Sequence, residues 1–325
     1  MRTQPMRMQR LVVVMSLLAM RPADAVTLFI SDERDNTVTA VDAVTLATIK
    51  NIPTGHRPRG MVLTPDGREL LVCAGDDNRI DVIDTDSLAV VRTMDPGPDP
   101  ETLGLAPNGK TVYVANEDDS MVTMLDRATG ERLGRFAVGI EPEGIAINAD
   151  ESSVVVVSES SSMAHFYDTR SRKLVANVLV DARPRVAVFS PDEKYVWVAS
   201  EIGGTVSVID VSTRAVVRKI EFPIPGVRRE FVQPEGIQFA RKSGIAFVAL
   251  GRANRVAAVD MASYEVKGYV EVGRRVWQLG LSPDGGTLYS VNGLTNDVTV
   301  VDVATMKVQR SLPVGRLPWG IAVKP

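Results

Sequence analysis

Residues 100–138 read PETLGLAPNGKTVYVANEDDSMVTMLDRATGERLGRFAV, and the same grammar returns along the whole chain. The stretch opens on a proline and turns at Ala106-Pro107-Asn108-Gly109. It then runs through Thr111-Val112-Tyr113-Val114-Ala115-Asn116 and ends a further apolar run on Asp126. The aspartate recurs at Asp42, Asp84, Asp126, Asp168, Asp210, Asp260 and Asp302, at spacings of 42, 42, 42, 42, 50 and 42. The proline recurs at Pro58, Pro100, Pro142, Pro184, Pro234 and Pro318, with Val276 in its place once, at spacings of 42, 42, 42, 50, 42 and 42. The turns Thr64-Pro65-Asp66-Gly67, Ser190-Pro191-Asp192-Glu193 and Ser282-Pro283-Asp284-Gly285 keep the same step. Three markers in register mean one supersecondary unit repeated seven times, with one insertion of eight residues.

Each unit reads as four short strands. Gly144-Ile145-Ala146-Ile147 represents the first, Tyr195 to Ser200 the second, Val206-Ser207-Val208-Ile209-Asp210 the third and Leu88 to Met94 the fourth. β-Branched residues fill the strands, and Pro, Asp, Asn and Gly punctuate them. No segment keeps a helical period. The pattern predicts an all-β, seven-bladed propeller of four-stranded antiparallel blades. After residue 25 the chain begins on a second strand, Val26 to Ser31, and it ends on a first strand, Pro318 to Val323. The C-terminal strand is therefore expected to join the N-terminal blade and close the ring, which leaves no edge unpaired.

Composition narrows function by exclusion. Apolar residues make up 45% of the 325, too many for a disordered chain. With 37 Lys+Arg against 40 Asp+Glu, no positive surplus is available for nucleic acid. Cys73 is the single cysteine, so no disulfide framework forms, and it reads as a buried small hydrophobe. One Cys and two His make structural zinc a poor fit, and no C-x-x-C-H haem motif occurs.

The first 25 residues read as an address. Arg2, Arg7 and Arg10 precede an apolar run from Leu11 to Met20, and Ala23-Asp24-Ala25 is a cleavage signature. The expectation is a signal peptide at 1–25 and a propeller at 26–325, exported to the periplasm. The run is too short to span a bilayer, so no transmembrane segment is expected after cleavage. Removing the leader takes the net charge from −3 to −6, since it carries four Arg and one Asp.

The Tyr113-Val114-Ala115-Asn116 run, the V-x-V-I-D ending at Asp84 and Asp210, the G-x-x-P-x-G turns at Gly55 to Gly60 and Gly139 to Gly144, and Ser282 to Gly285 resemble the YVTN family of β-propeller repeats. With the leader and the blade number, the chain also resembles exported propellers associated with pyrroloquinoline quinone (PQQ)-dependent alcohol catabolism. That resemblance implies an accessory or interaction role beside a periplasmic quinoprotein dehydrogenase or a transport component. It carries over no catalytic residue.

The site reading rests on the frame. The G-x-x-P-x-G turns and the turns between second and third strands are expected to share the mouth of the central channel. The residues just after the anchor are Arg59, Glu101, Glu143, Arg185, Glu235, Trp277 and Trp319, and those just before it are Arg57, Asp99, Glu141, Arg183, Gln233, Arg275 and Leu317. One arc gathers Arg57, Arg59, Arg274, Arg275, Trp277, Arg316 and Trp319, with His56 nearby. It suits a flat anion such as PQQ, because guanidinium forks pair with carboxylates and indoles stack. A solvated polar rim over packed tryptophans is the competing arrangement. The other arc, with Asp99, Glu101, Glu141, Glu143 and Glu117-Asp118-Asp119, could hold a hard cation such as Ca²⁺, or be plain surface carboxylates. The insertion, within residues 220–230, offers Phe222, Ile224, Arg228 and Arg229 as a partner-docking loop or folds over its own blade. His165 and Trp197 read as packed within strands, and the seven aspartates as caps of the turns that follow them.

No nucleophile elbow or H-E-x-x-H motif is present, so the reading leans away from an enzyme. It favours a non-catalytic propeller that binds a small anion or a partner protein at its mouth, with no cofactor of its own. A propeller lactonase using the acidic arc and the heavy subunit of a quinoprotein dehydrogenase are the alternatives.

Overall fold

The computed structural model describes residues 26–325, and the signal peptide read at 1–25 lies outside them. These residues form seven four-stranded antiparallel sheets arranged as a propeller. In the first blade the C-terminal strand Pro318–Lys324 is innermost, and Thr27–Asp32, Thr37–Asp42 and Thr48–Pro53 follow it outward. The ring thus closes by the strand exchange expected from the sequence. Blades two to seven occupy residues 58–94, 100–137, 142–179, 184–221, 237–271 and 276–313.

Burial explains the strand sequences. Second and third strands lie covered on both faces: Ser153–Ser158 holds an unbroken run of four valines, and Thr205–Asp210 buries Thr205 and Ser207 along with Val206, Val208 and Ile209. Outer strands such as Lys307–Pro313 are exposed nearly throughout. The hydrophobic core is divided into seven clusters, one at each blade interface. At the fifth and sixth blades, for example, Trp197, Val206 and Phe222 meet Val248, Ala257 and Val259. Cys73 and Trp197 are buried, as read from sequence, and His165 is hydrogen-bonded within its blade to Asn177.

The repeated aspartates cap the turns after the third strands. The Oδ1 atoms of Asp42, Asp84, Asp126, Asp168, Asp210, Asp260 and Asp302 each accept the backbone N–H three residues on, at 2.7–2.8 Å. Hydrogen bonds from Ser87 and Thr129 hold the pKa values of Asp84 and Asp126 below the ordinary carboxylate range.

Inner strands pack on one another around the channel through a repeating device. A Cβ added to Gly60 would lie 2.7 Å from Thr102 Cα, one at Gly144 2.8 Å from Val186 Cα, and one at Gly236 2.9 Å from Gln278 Cα. Glycine therefore alternates with a larger residue from blade to blade. The alternation breaks where Gly320 meets the second blade and its Gly60. There Ser31 Oγ accepts Gly320 N–H at 2.9 Å and donates to the Arg59 carbonyl at 2.8 Å.

Candidate binding site at the propeller mouth

A bulge builds the mouth. In the second, third, fourth and seventh blades the inner strand carries one extra residue between the anchor and the third position after it, as between Pro58 and Met61. Bulges of this kind turn a side chain out of the ladder. Here they release the residue after the anchor towards the channel. The residue before the anchor is held left-handed, with φ of 57° at Arg57, 42° at Asp99, 57° at Glu141, 58° at Arg183 and 59° at Arg275. That conformation is costly for a residue with a Cβ, more so before proline. Asparagines of the preceding blade hold it in place. Asn36, Asn78 and Asn254 accept the N–H groups of Arg57, Asp99 and Arg275 at 2.8–3.1 Å.

The ring so presented runs Arg59, Glu101, Glu143, Arg185, Glu235, Trp277 and Trp319. Glu101, Glu143 and Glu235 are each only 1% exposed. A channel cavity of about 210 Å³ lies beneath, lined in part by Gly60, Thr102, Gly144 and Gln278, with Arg185 and Trp319 at its mouth-side end.

Four arginines of the expected cationic arc are bound to carboxylates, within their own blade or across an interface. Arg57 reaches Asp76 at 2.7 Å, Glu101 at 3.0 Å, and Asp99. Arg59 joins Glu33 at 3.1 Å to Glu101. Arg275 spans Gln233, Glu201 at 2.8 Å and Glu235 at 3.3 Å, and its guanidinium lies 3.8 Å from the centre of the Trp277 ring. Arg316 pairs with Asp35 at 2.5 Å, and His56 with Asp77 at 2.8 Å. Trp277 and Trp319 do meet, with ring centres 6.3 Å apart and planes tilted by 32°. The two arcs of the sequence reading are thus clasped together, because side chains six or seven bonds long reach across a blade interface.

The densest part surrounds Arg185. This buried guanidinium contacts Glu143 at 3.2 Å, Glu235 at 3.7 Å and Glu159, and Arg183 adds Glu159 at 2.7 Å and Glu201 at 3.2 Å. Burial pushes the Glu143 carboxyl well above its ordinary range and Glu235 to about 8, although Arg185 opposes both. Glu117 is raised to about 6 by burial and by Glu101. Several buried polar atoms accept or donate no hydrogen bond: both Glu143 carboxylate oxygens, Glu235 Oε1, Arg185 Nε and Trp319 Nε1.

Glu33, Glu159 and Glu201 were absent from the sequence reading. All three follow the end of a second strand, and their N–H groups bond the carbonyls of Leu317, Glu141 and Arg183. Alignment of Ser31-Asp32-Glu33, Ser158-Glu159 and Ser200-Glu201 on the repeat would have exposed that second ring.

The insertion stands on the same face. Phe222 is 4% exposed and joins the core with Val232, while Ile224 and Val227 pack against it in part. A 3₁₀ turn, Arg229–Phe231, follows. Phe222, Pro223, Ile224, Pro225 and Val227 wall a hollow of about 460 Å³ beside Gly204. Arg228 and Arg252 lie over the Phe231 ring, 4.5 and 4.7 Å from its centre.

The choice-of-anchor I domain model matches residues 118–294, more than half of the chain and the part that carries Glu143, Arg185, Glu235 and Trp277. The chain belongs to the choice-of-anchor I domain family. Among solved structures, this choice-of-anchor I propeller is similar to Kuenenia stuttgartiensis hydrazine synthase, with TM-score 0.77 and 22% identity over 86% of this chain and 92% of that one. It is similar to dihydro-heme d1 dehydrogenase NirN in complex with DHE, with TM-score 0.70 and 16% identity over 91% of this chain and 74% of that one. It is also similar to a provisionally assigned 6-phosphogluconolactonase of Bacteroides fragilis, with TM-score 0.77 and 15% identity over 93% and 98%. At these identities the likeness is one of fold. No curated protein matches the sequence.

Proposed function

We propose that this chain is an exported accessory propeller that docks a partner protein on its mouth-side face, in the setting of PQQ-dependent alcohol catabolism that its sequence resemblance implies. The observation that carries docking is the hollow walled by Phe222, Pro223, Ile224, Pro225 and Val227. Arg229 and Glu221 also line it, Arg228 is well exposed and paired with Glu230 at 3.2 Å, and Ile202 stands exposed on the neighbouring turn. An apolar hollow with charged residues of both signs around it suits an apolar anchor residue set in a polar surround. The family fits a surface or extracellular protein. The partner that the resemblance implies is a periplasmic quinoprotein dehydrogenase, or a transport component. Biolayer interferometry against the purified dehydrogenase tests it. Ile224→Asp and Arg229→Glu are each expected to weaken binding at least tenfold, and Asp126→Asn to leave it unchanged. Absence of binding, or equal affinity in all variants, would overturn the proposal.

PQQ itself as a mouth ligand is less well supported, since Arg57, Arg59 and Arg275 are already paired and Arg275 covers Trp277. Calorimetric titration with PQQ is expected to give no heat. Saturable heat lost in Trp319→Ala would restore that reading.

The convergence of Asp99, Glu101 and Glu117, with oxygens within 4.8 Å of one another, favours a second reading as a lactone hydrolase, in which this cluster activates water. Turnover of a sugar lactone that disappears in Glu101→Gln would support it. No turnover across a lactone panel would remove it.

A further inference from the structure

We infer that a small quaternary ammonium cation binds in an aromatic hollow between the fifth and sixth blades, on the face away from the mouth. The hollow holds about 200 Å³ and is walled by Tyr195, Trp197, Phe239, Met261 and Tyr264, with Asp192 at its edge. Its place follows from the frame. Asp192 lies in the turn between first and second strands, and Tyr264 in the turn between third and fourth. In an antiparallel blade both turns fall at the opposite end from those of the mouth.

The repeat shows what sets this interface apart. Trp197 and Phe239 occupy positions that are apolar or aromatic in every blade, but Tyr195 and Tyr264 do not. Tyr195 is the residue paired with the repeated aspartate, and there the other blades carry Thr27, Glu69, Thr111, Ser153, Ile245 and Thr287. Tyr264 is the left-handed residue of its turn, at φ 62°, where the others carry Leu46, Leu88, Gly130, Arg172, Arg214 and Met306. The fold of a blade requires a tyrosine at neither position. Yet the two, from different blades, meet over the same tryptophan.

The rings enclose space instead of filling it. Phe239 stands edge-on to Trp197, with 5.3 Å between centres and 86° between planes, and Tyr264 leans on it at 5.7 Å and 47°. Phe136 and Tyr167, in the third and fourth blades, stack instead at 3.8 Å and 8°, face against face. Trp197 is buried and forms the floor, whereas Tyr195, Phe239, Met261 and Tyr264 are only partly buried around it. Asp192 supplies charge at the rim. Its Oδ1 accepts the Ser190 hydroxyl at 2.7 Å and the Lys194 N–H at 3.2 Å, and Oδ2 has only the well-exposed Lys194 ammonium, 4.0 Å away. Burial raises the pKa of the Tyr264 hydroxyl, and Tyr195 and Asp192 raise it further against Arg218, which sets the Asp192 carboxylate beside that ring.

Such walls select one kind of cation. Aromatic faces are negative and attract positive charge. An ammonium with N–H groups needs acceptors, which rings and a thioether supply poorly; a quaternary one has no N–H to leave unpaired. Its methyl groups meet the rings, and its charge meets Asp192.

Choline is the probe, with its carbon isostere dimethylbutanol as the uncharged twin. Calorimetric titration of the protein is expected to give saturable heat with choline and affinity about tenfold lower with the isostere. Tyr264→Leu and Tyr195→Thr place at each position a residue that other blades already carry. Each is expected to weaken choline binding about tenfold with unchanged melting. Asp192→Asn, at the exposed rim, is expected to weaken it about threefold. No saturable heat, equal affinity for the isostere, or wild-type affinity in both tyrosine variants would overturn the inference. Ile224→Asp, on the opposite face, is expected to leave choline binding unchanged, so failure here and failure of partner docking are separately visible.

Discussion

Two rings of acidic residues repeat around this propeller and behave in opposite ways. At the turns after the third strands, seven aspartates stand in solvent and make the same bond to the same backbone position. At the mouth, the framework repeats equally well, but the side chains differ from blade to blade, are buried and hold one another across interfaces. A repeat keeps a residue when the blade itself needs it. It releases the residue when only the assembled ring gives it a partner.

Four changes would break or sharpen this contrast. The largest effect is expected from removing residues 318–325, which supply the inner strand of the first blade and fasten the ring through Ser31. Loss of the cooperative melting transition is expected by circular dichroism; wild-type melting would refute strand closure. Next is Arg185→Ala, which strands Glu143, Glu159 and Glu235 without their shared cation. Breaking a buried pair of this sort costs about 3–5 kcal/mol, a fall in Tm of about 10 °C for a domain of this size. A fall no larger than that of a turn aspartate variant would mean that the mouth network contributes nothing to the ring.

The third change concerns Asp32, a buried carboxyl of the first blade. Burial lifts it to about 7 against hydrogen bonds from Thr39 and Thr37, and Asp35 adds to the rise. Its unfolded value lies near 4, so the folded state binds the proton more tightly and stability falls as pH rises from about 4 to about 7. Asp32→Asn is expected to raise Tm by about 5 °C at pH 8 and to change it little at pH 4. An equal shift at both pH values would refute this account. The smallest effect is expected at the exposed ring. Asp126→Ala removes the bonds to Thr129 and should lower Tm by about 2 °C or less, with little dependence on pH above 5.

The same contrast explains what the sequence discloses. Period, blade number and closure are legible because Asp42 to Asp302 and Pro58 to Pro318 recur in step, and recurrence needs no knowledge of contacts. The capping role of the aspartates is legible for that reason too. The mouth residues Arg57, Arg59, Glu101, Arg275, Trp277 and Trp319 are also found by position. Their pairing is not, because Arg57 meets Asp99 and Glu101 forty-two and forty-four residues away, at distances set by bulge and blade angle. Glu159 and Glu201 escape notice because each follows a serine in an otherwise unremarked turn. Phe222 reads as a surface anchor from its place in an insertion, yet the core between the fifth and sixth blades has room for it.

The alternation of glycine with a larger residue has a consequence of parity. Two states can alternate round a ring only if its members are even in number, and this ring has seven. One like-to-like joint is unavoidable, as in an odd necklace of two colours. It falls between Gly320, on the C-terminal strand of the first blade, and Gly60 of the second, and the Ser31 hydroxyl occupies the gap it leaves. An eighth blade bearing a larger residue at that position would restore the pattern, so the odd count is written into the seam itself.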